Sequence, residues 1–280
     1  MQELEFVKAQ GTGNDFIIVD DLQGKLNNFD LASLATRMCN RNFGIGADGL
    51  ILIMPSDIAD YRMRIMNSDG SEAEMCGNGI RCFGRYLFDR GIANELMTVE
   101  TLAGIKTVDV ITNGSQVTGF TVSMGVPHLN AKDIPVDGYD GKVISRPIDI
   151  EGSRFNITCV SMGNPHCVIF VDAVDAVPLE ELGPKIETNA IFPKKINVEF
   201  AQVLNKDEVK VRVWERGAGI TLACGTGACA TVVAGVLNDK LDRQAIVRLP
   251  GGSLRIDWDE TGELYMTGPA EEVFTGRFRI

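Results

Sequence analysis

Met75-Cys76-Gly77-Asn78-Gly79 and, 148 positions later, Ala223-Cys224-Gly225-Thr226-Gly227 carry one signal twice: a cysteine, two glycines around a polar residue, then an apolar helical run. The same shift lays Met63-Arg64-Ile65-Met66 on Val211-Arg212-Val213-Trp214, so each copy reads strand, polar turn, Cys-Gly-x-Gly, helix. A shift of 150 lays Gly13-Asn14 on Gly163-Asn164, each ahead of an apolar strand. A spacing near half of the 280 residues predicts two similar domains that arose by duplication. The first is expected over 1–117, rejoined by a C-terminal strand at about 268–280, and the second over 118–267.

Working outward, short β-branched runs bounded by turn residues predict strands around 16–19, 50–54, 61–66, 117–124, 167–171, 209–213 and 245–249. Helical patterns are fewer. Residues 31–39 follow Asp30, a good N-cap, while 80–88 and 229–237 follow the two glycine-rich turns. Residues 179–187 form a weaker candidate because Gly183-Pro184 interrupts them. Many strands with few helices predict an α+β architecture rather than alternating βαβ units.

Hydrophobic residues make up 45% and charged residues 23%, the balance of a globular chain. The net charge of −11 argues against nucleic acid as a partner. The longest nearly unbroken apolar stretch, 228–237, is about half of the roughly 20 residues a membrane-spanning helix requires. The first residues lack the basic and apolar regions of a secretory signal. Seven cysteines, an odd number with no C-x-x-C, predict free thiols in a reducing, cytoplasmic setting. With two histidines and no clustered ligands, no metal site is expected.

The two cysteine blocks carry the chemistry. Glycines let the backbone turn sharply against a ligand. The first-turn N–H groups of a helix, with its positive dipole end, cradle an anion such as a carboxylate, and the same field lowers a cysteine pKa. If two such cradles converge, a sulfur lies on each face of a ligand's α-carbon. One thiolate removes the α-proton, the opposite thiol delivers another, and the stereocentre inverts. The carbanion's charge spreads into the carboxylate, where the helix N–H groups stabilise it. A redox disulfide is the alternative use of two cysteines, but neither has a near partner in sequence. The other cysteines, Cys39, Cys82, Cys159, Cys167 and Cys229, read as buried small hydrophobes. Polar groups suited to a zwitterion gather at Asn14, Asn67, Asn164, Asn197 and the adjacent Glu215-Arg216, which could grip the ammonium and carboxylate of one amino-acid end.

With these residues the chain resembles the diaminopimelate epimerase family over nearly its whole length. The matching segments are residues 11–16, 42–49, 67–79, 163–166, 214–217 and 222–227. The resemblance implies two α+β domains, each a helix wrapped by a mostly antiparallel sheet, with the active site in the cleft between them. It implies an isomerase that interconverts LL- and meso-2,6-diaminopimelate for lysine and peptidoglycan precursors, without pyridoxal phosphate or metal, as a homodimer. Carried over by position, Cys76 and Cys224 become the acid–base pair, and His166 and Glu215 their catalytic support. Gly77, Asn78, Gly225 and Thr226 become the carboxylate cradle, and Asn14, Asn67, Asn164, Asn197, Glu215 and Arg216 substrate contacts. Gly49 departs from the family members that carry Gln there, so no contact is assigned to it. Proline racemases and hydroxyproline epimerases, whose first block reads Met-Cys-Gly-His-Gly, are disfavoured by Asn78; phenazine-biosynthesis isomerases lack the cysteine pair. A cofactor-independent racemase of another amino acid and a non-catalytic amino-acid-binding protein stand as the alternatives.

Overall fold

A computed structural model describes residues 3–114 and 116–280. The chain divides into two units, Met1–Ser123 with Thr267–Ile280, and Met124–Met266. Along the first run β1 (Glu3–Gly11), β2 (Asn14–Asp20), α1 (Leu31–Cys39), β3 (Gly49–Met54), β4 (Tyr61–Asn67), β5 (Glu72–Ala73), α2 (Gly77–Asp89), β6 (Leu96–Thr101), β7 (Gly104–Asn113) and β8 (Gln116–Gly125) follow in order. The second unit runs through β9 (Arg146–Ile150), β10 (Ser153–Ser161), β11 (Pro165–Phe170), α3 (Leu179–Glu187), β12 (Asn197–Asn205), β13 (Glu208–Glu215), β14 (Gly219–Thr221), α4 (Gly225–Leu237), β15 (Gln244–Leu249), β16 (Gly252–Trp258) and β17 (Leu264–Gly268). The last strand, β18 (Glu271–Arg279), returns to pair antiparallel with β1. The first division falls after Ser123 rather than at 117, because β8 stays paired with β7 from Gln116 to Val122.

The chain is sheet-dominated α+β, with four α-helices among the described residues. In the first unit β2 lies antiparallel to β1 and parallel to β3. There β4 lies antiparallel to β3 and β5 but parallel to β6, which is antiparallel to β7. In the second unit β10 to β16 repeat this series strand for strand. Helices α1 and α3, helices α2 and α4, and strands β6 and β15 each begin 148 positions apart. Register agrees as well: Phe16 faces Gly49 across β2–β3, and His166 faces Asn197 across β11–β12.

Local chemistry explains most of the helices. The Asp30 carboxylate accepts from Ser33 N–H at 3.2 Å and starts α1. Helix α3 runs through Pro184 despite the lost N–H, because Leu179, Gly183 and Ile186 are buried on one face and tertiary packing outweighs one missing bond. Helices α2 and α4 begin at Gly77 and Gly225, a turn earlier than their apolar runs, with Cys76 and Cys224 as N-caps. Helix α4 is Ala-, Val- and Gly-rich and buried all round, as a helix enclosed by strands must be. The five cysteines outside the two motifs are all buried.

Candidate active site

In the first unit the turn between β1 and β2 delivers Asn14 to the start of α2. Its Oδ1 accepts from Asn78 Nδ2 at 3.2 Å and lies 3.6 Å from Cys76 Sγ. Its Nδ2 donates to Asp48 at 2.6 Å, and Asp48 also accepts from Asp15 N–H and Arg41. Asn14 therefore sits in a rigid frame, its carbonyl oxygen aimed at the Cys76–Asn78 turn. Beneath the turn lies Arg81, fully buried, donating to Gly77 O and Pro269 O at 3.0 Å each and to Thr12 Oγ1 at 3.3 Å. Asn67, at the end of β4, donates through Nδ2 to Ser71 Oγ at 2.9 Å.

Asp15 anchors this frame through Lys8 and Arg41. Burial opposes its charge, but hydrogen bonds from Arg41 and Lys8 win and hold its carboxyl at about 2. The folded carboxyl is thus a stronger acid than the unfolded one. Its contribution, about 2–3 kcal/mol, is complete above about pH 5 and fades as pH falls through 4 toward 2. Denaturation of Asp15→Asn should show a stability deficit at pH 7 that disappears near pH 2. A deficit unchanged across that range would contradict the ion-pair account.

In the second unit Cys224 caps α4. Its Sγ accepts from Gly227 N–H at 3.4 Å and lies 3.5 Å from Thr226 Oγ1. Thr226 Oγ1 accepts from Asn164 Nδ2 at 3.2 Å, and Asn164 Oδ1 lies 3.0 Å from His166 Nε2. The Nδ1 of His166 lies 2.7 Å from Glu199 Oε1. Glu215 ends β13; its Oε1 accepts from Thr221 Oγ1 at 2.5 Å, and its charge acts on the Cys224 thiol. Asn197 bridges Pro165 O at 2.8 Å and Arg216 N–H at 2.8 Å, so its amide shapes the loop carrying Arg216. The Arg216 guanidinium reaches Lys194 O at 3.0 Å. The two neighbours have separate partners, Glu215 at Thr221 and Arg216 at Lys194 in the exposed loop.

Burial pushes the Cys224 thiol well above its ordinary value, and the neighbouring Glu215 and Glu199 carboxylates push it the same way. The Thr226 hydroxyl and Gly227 N–H oppose them. At Cys224 loss of water therefore acts against the lowering expected of a helix N-terminus. Burial also raises Glu215, against the Thr221 hydroxyl.

Each cysteine thus caps a helix whose glycine-rich first turn can take a carboxylate. The family model described as diaminopimelate epimerase matches residues 6–130 and 158–273. The chain belongs to the diaminopimelate epimerase family. It is 53% identical to the diaminopimelate epimerase of Pelotomaculum thermopropionicum over 276 residues, 98% of this chain and 99% of that one. To the diaminopimelate epimerase of Moorella thermoacetica it is 53% identical over 279 residues, 99% and 100% of the two chains. Among solved structures, a Bacillus anthracis phenazine biosynthesis protein of the PhzF family superposes with a TM-score of 0.73 at 18% identity, covering 100% of both chains. A probable proline racemase from Agrobacterium radiobacter gives 0.70 at 14%, covering 99% and 93%. These likenesses establish the shared fold.

Within this family member, sequence reasoning missed Glu199, Thr221 and the Asp48–Arg41 support under Asn14. Asp48 and Arg41 lie among polar loop residues that single out no partner. Glu199 sits in a strand where a charged residue reads as solvent-facing, yet it is fully buried.

Proposed function

We propose that the chain interconverts LL-2,6-diaminopimelate and meso-diaminopimelate, with Cys76 and Cys224 as the two bases and neither pyridoxal phosphate nor metal required. The observation that carries this reading is the full-length similarity to diaminopimelate epimerases, joined to a duplicated fold that places one cysteine at the N-cap of each equivalent helix. One substrate engages both half-sites. Its reacting carboxylate takes the first-turn groups of Gly77, Asn78, Gly225 and Thr226, where partial positive charge is fixed before the carbanion forms.

Inversion needs one sulfur charged and the other protonated. Burial favours the protonated form at Cys224, which suits it to deliver the proton in one direction of the reaction and accept it in the other. Glu215, whose charge acts on Cys224 and which is itself raised by burial, supports the return of that proton, while His166 holds the hydrogen-bond line behind Thr226. Asn14, Asn67, Asn164, Asn197 and Arg216 supply polar contacts to the substrate. The same reading places the reaction in the supply of lysine and peptidoglycan precursors, in the cytoplasm, by a homodimer. No helix among the described residues is long and apolar enough to cross a membrane.

Purified chain given LL-diaminopimelate and no added cofactor should form the meso isomer, followed by chiral chromatography, and should leave proline unchanged. Absence of meso product, or loss of activity when a bound metal or pyridoxal group is stripped, would count against the reading.

A further inference from the structure

Glu199 is a fully buried carboxylate on β12, and its two oxygens have unequal surroundings. Oε1 lies 2.7 Å from His166 Nδ1, while Oε2 has no hydrogen-bond partner among the described residues. A buried, half-satisfied carboxylate opposes folding, so its presence calls for a purpose other than packing.

The duplication supplies an internal control. The shared register makes Phe16 the equivalent of His166 and Ile51 the equivalent of Glu199, since Ile18 faces Ile51 on β2–β3 as Val168 faces Glu199 on β11–β12. Phe16 and Ile51 are buried too. The same architecture is therefore built in the first unit with two apolar side chains, and a His–Glu pair is not a requirement of the fold. The difference is aimed at the cysteine turn. A Cβ added at Gly227 would stand 2.6 Å from Glu199 Oε1 and 3.3 Å from Cys224 Sγ, so the carboxylate lies directly under the Cys224–Gly227 turn, which must have glycine there.

From these contacts we propose that Glu199 is a positioning residue for the Cys224 half-reaction, an assignment that rests on the epimerase reading. An ionised carboxylate only accepts hydrogen bonds, so it fixes the proton of His166 on Nδ1 and sets the plane of the ring. With Nδ1–H donating to Glu199, the contact with Asn164 Oδ1 requires a proton on Nε2 as well, so the ring donates from both nitrogens and turns Asn164 Nδ2 to Thr226 Oγ1, the hydroxyl 3.5 Å from Cys224 Sγ. The line Glu199–His166–Asn164–Thr226 thereby holds the hydroxyl beside the reacting sulfur.

Two measurements test this. The chain has only two histidines, so the long-range proton–nitrogen NMR spectrum of ring-labelled wild-type protein resolves His166 against His128. Protons on both Nδ1 and Nε2 of His166 are expected; a ring protonated on one nitrogen alone would overturn the assignment, and this readout needs no substrate. The second uses a diaminopimelate analogue with a leaving group on the β-carbon. Such an analogue eliminates after a single α-proton removal, so each α-stereoisomer reports one cysteine. Glu199→Gln, which keeps the shape and loses the charge, should slow elimination from the isomer served by Cys224 by about tenfold or more, chiefly in kcat, and leave the other isomer nearly unchanged. Equal rates for both isomers, whether both reduced or both intact, would overturn the proposal. Wild-type protein that eliminates neither isomer would instead count against the epimerase reading.

Discussion

Cys76→Ser and Cys224→Ser should each lower the rate of epimerisation by ~10²–10⁴-fold or more, the scale of removing a general acid or base. A serine hydroxyl at either N-cap is far too weak a base to take the α-proton near neutral pH. Both variants should keep their thermal stability, since a serine hydroxyl at 76 can donate to Asn14 Oδ1 as the thiol does and one at 224 can still accept from Gly227 N–H. Loss of full turnover need not abolish every step. With the β-leaving-group analogue each variant should still eliminate from one stereoisomer and fail with the other, in opposite senses. A single variant that retains epimerisation within an order of magnitude would mean its cysteine is not one of the two bases.

The largest effect on stability is expected at Arg81. Its guanidinium is fully buried and ties the first turn of α2 at Gly77 O to Thr12 and, through Pro269 O, to the returning C-terminal segment. Arg81→Ala takes the side-chain donor from Pro269 O, left short of a partner at about 1–3 kcal/mol, while Gly77 O keeps its helical bond, and it opens a cavity as well. A loss of at least about 3 kcal/mol is expected, read as a lower midpoint in urea. Arg81→Lys should recover only part of it, because one ammonium cannot span three directions as a guanidinium fork does. A midpoint no lower than that of Arg154→Ala, at an exposed site, would contradict this account of the α2 anchor.

Much of the fold was legible because its signals are local. Asp30 ahead of an apolar run marked α1 at its observed bounds, and the shift of 148 residues foretold the paired series of strands and helices. The starts of α2 and α4 were harder to read, since cysteine is not a favoured N-cap and the glycines look like a turn rather than helix. The end of the first unit lies inside β8, where pairing with β7, not composition, decides membership.

For the candidate site, the cysteine blocks, Asn14, Asn164, His166 and Glu215 stood out by motif, and the structure brings each into contact with groups of its own unit. Glu199 could not be found in this way. Asn197-Val198-Glu199 has the alternation of a strand with one wet face, and only its parallel pairing with β11 shows that this face is dry and meets His166. Glu215-Arg216 reads as one grip from adjacency alone. Neighbours in sequence, they diverge at the end of β13, and Asn197 directs the backbone of Arg216.

The central claim is that two different thiols serve opposite faces of one α-carbon, and early-time epimerisation in heavy water tests it most directly. Each thiol exchanges its hydrogen with solvent, so the sulfur that delivers the new proton carries deuterium, while the substrate's own α-hydrogen leaves on the other sulfur. Stopped after a small conversion of LL-diaminopimelate and analysed by mass spectrometry, the meso product should carry deuterium at the inverted centre and recovered substrate should remain unlabelled. Product that keeps the original hydrogen, with deuterium appearing in recovered substrate, would show one base reaching both faces and contradict the account.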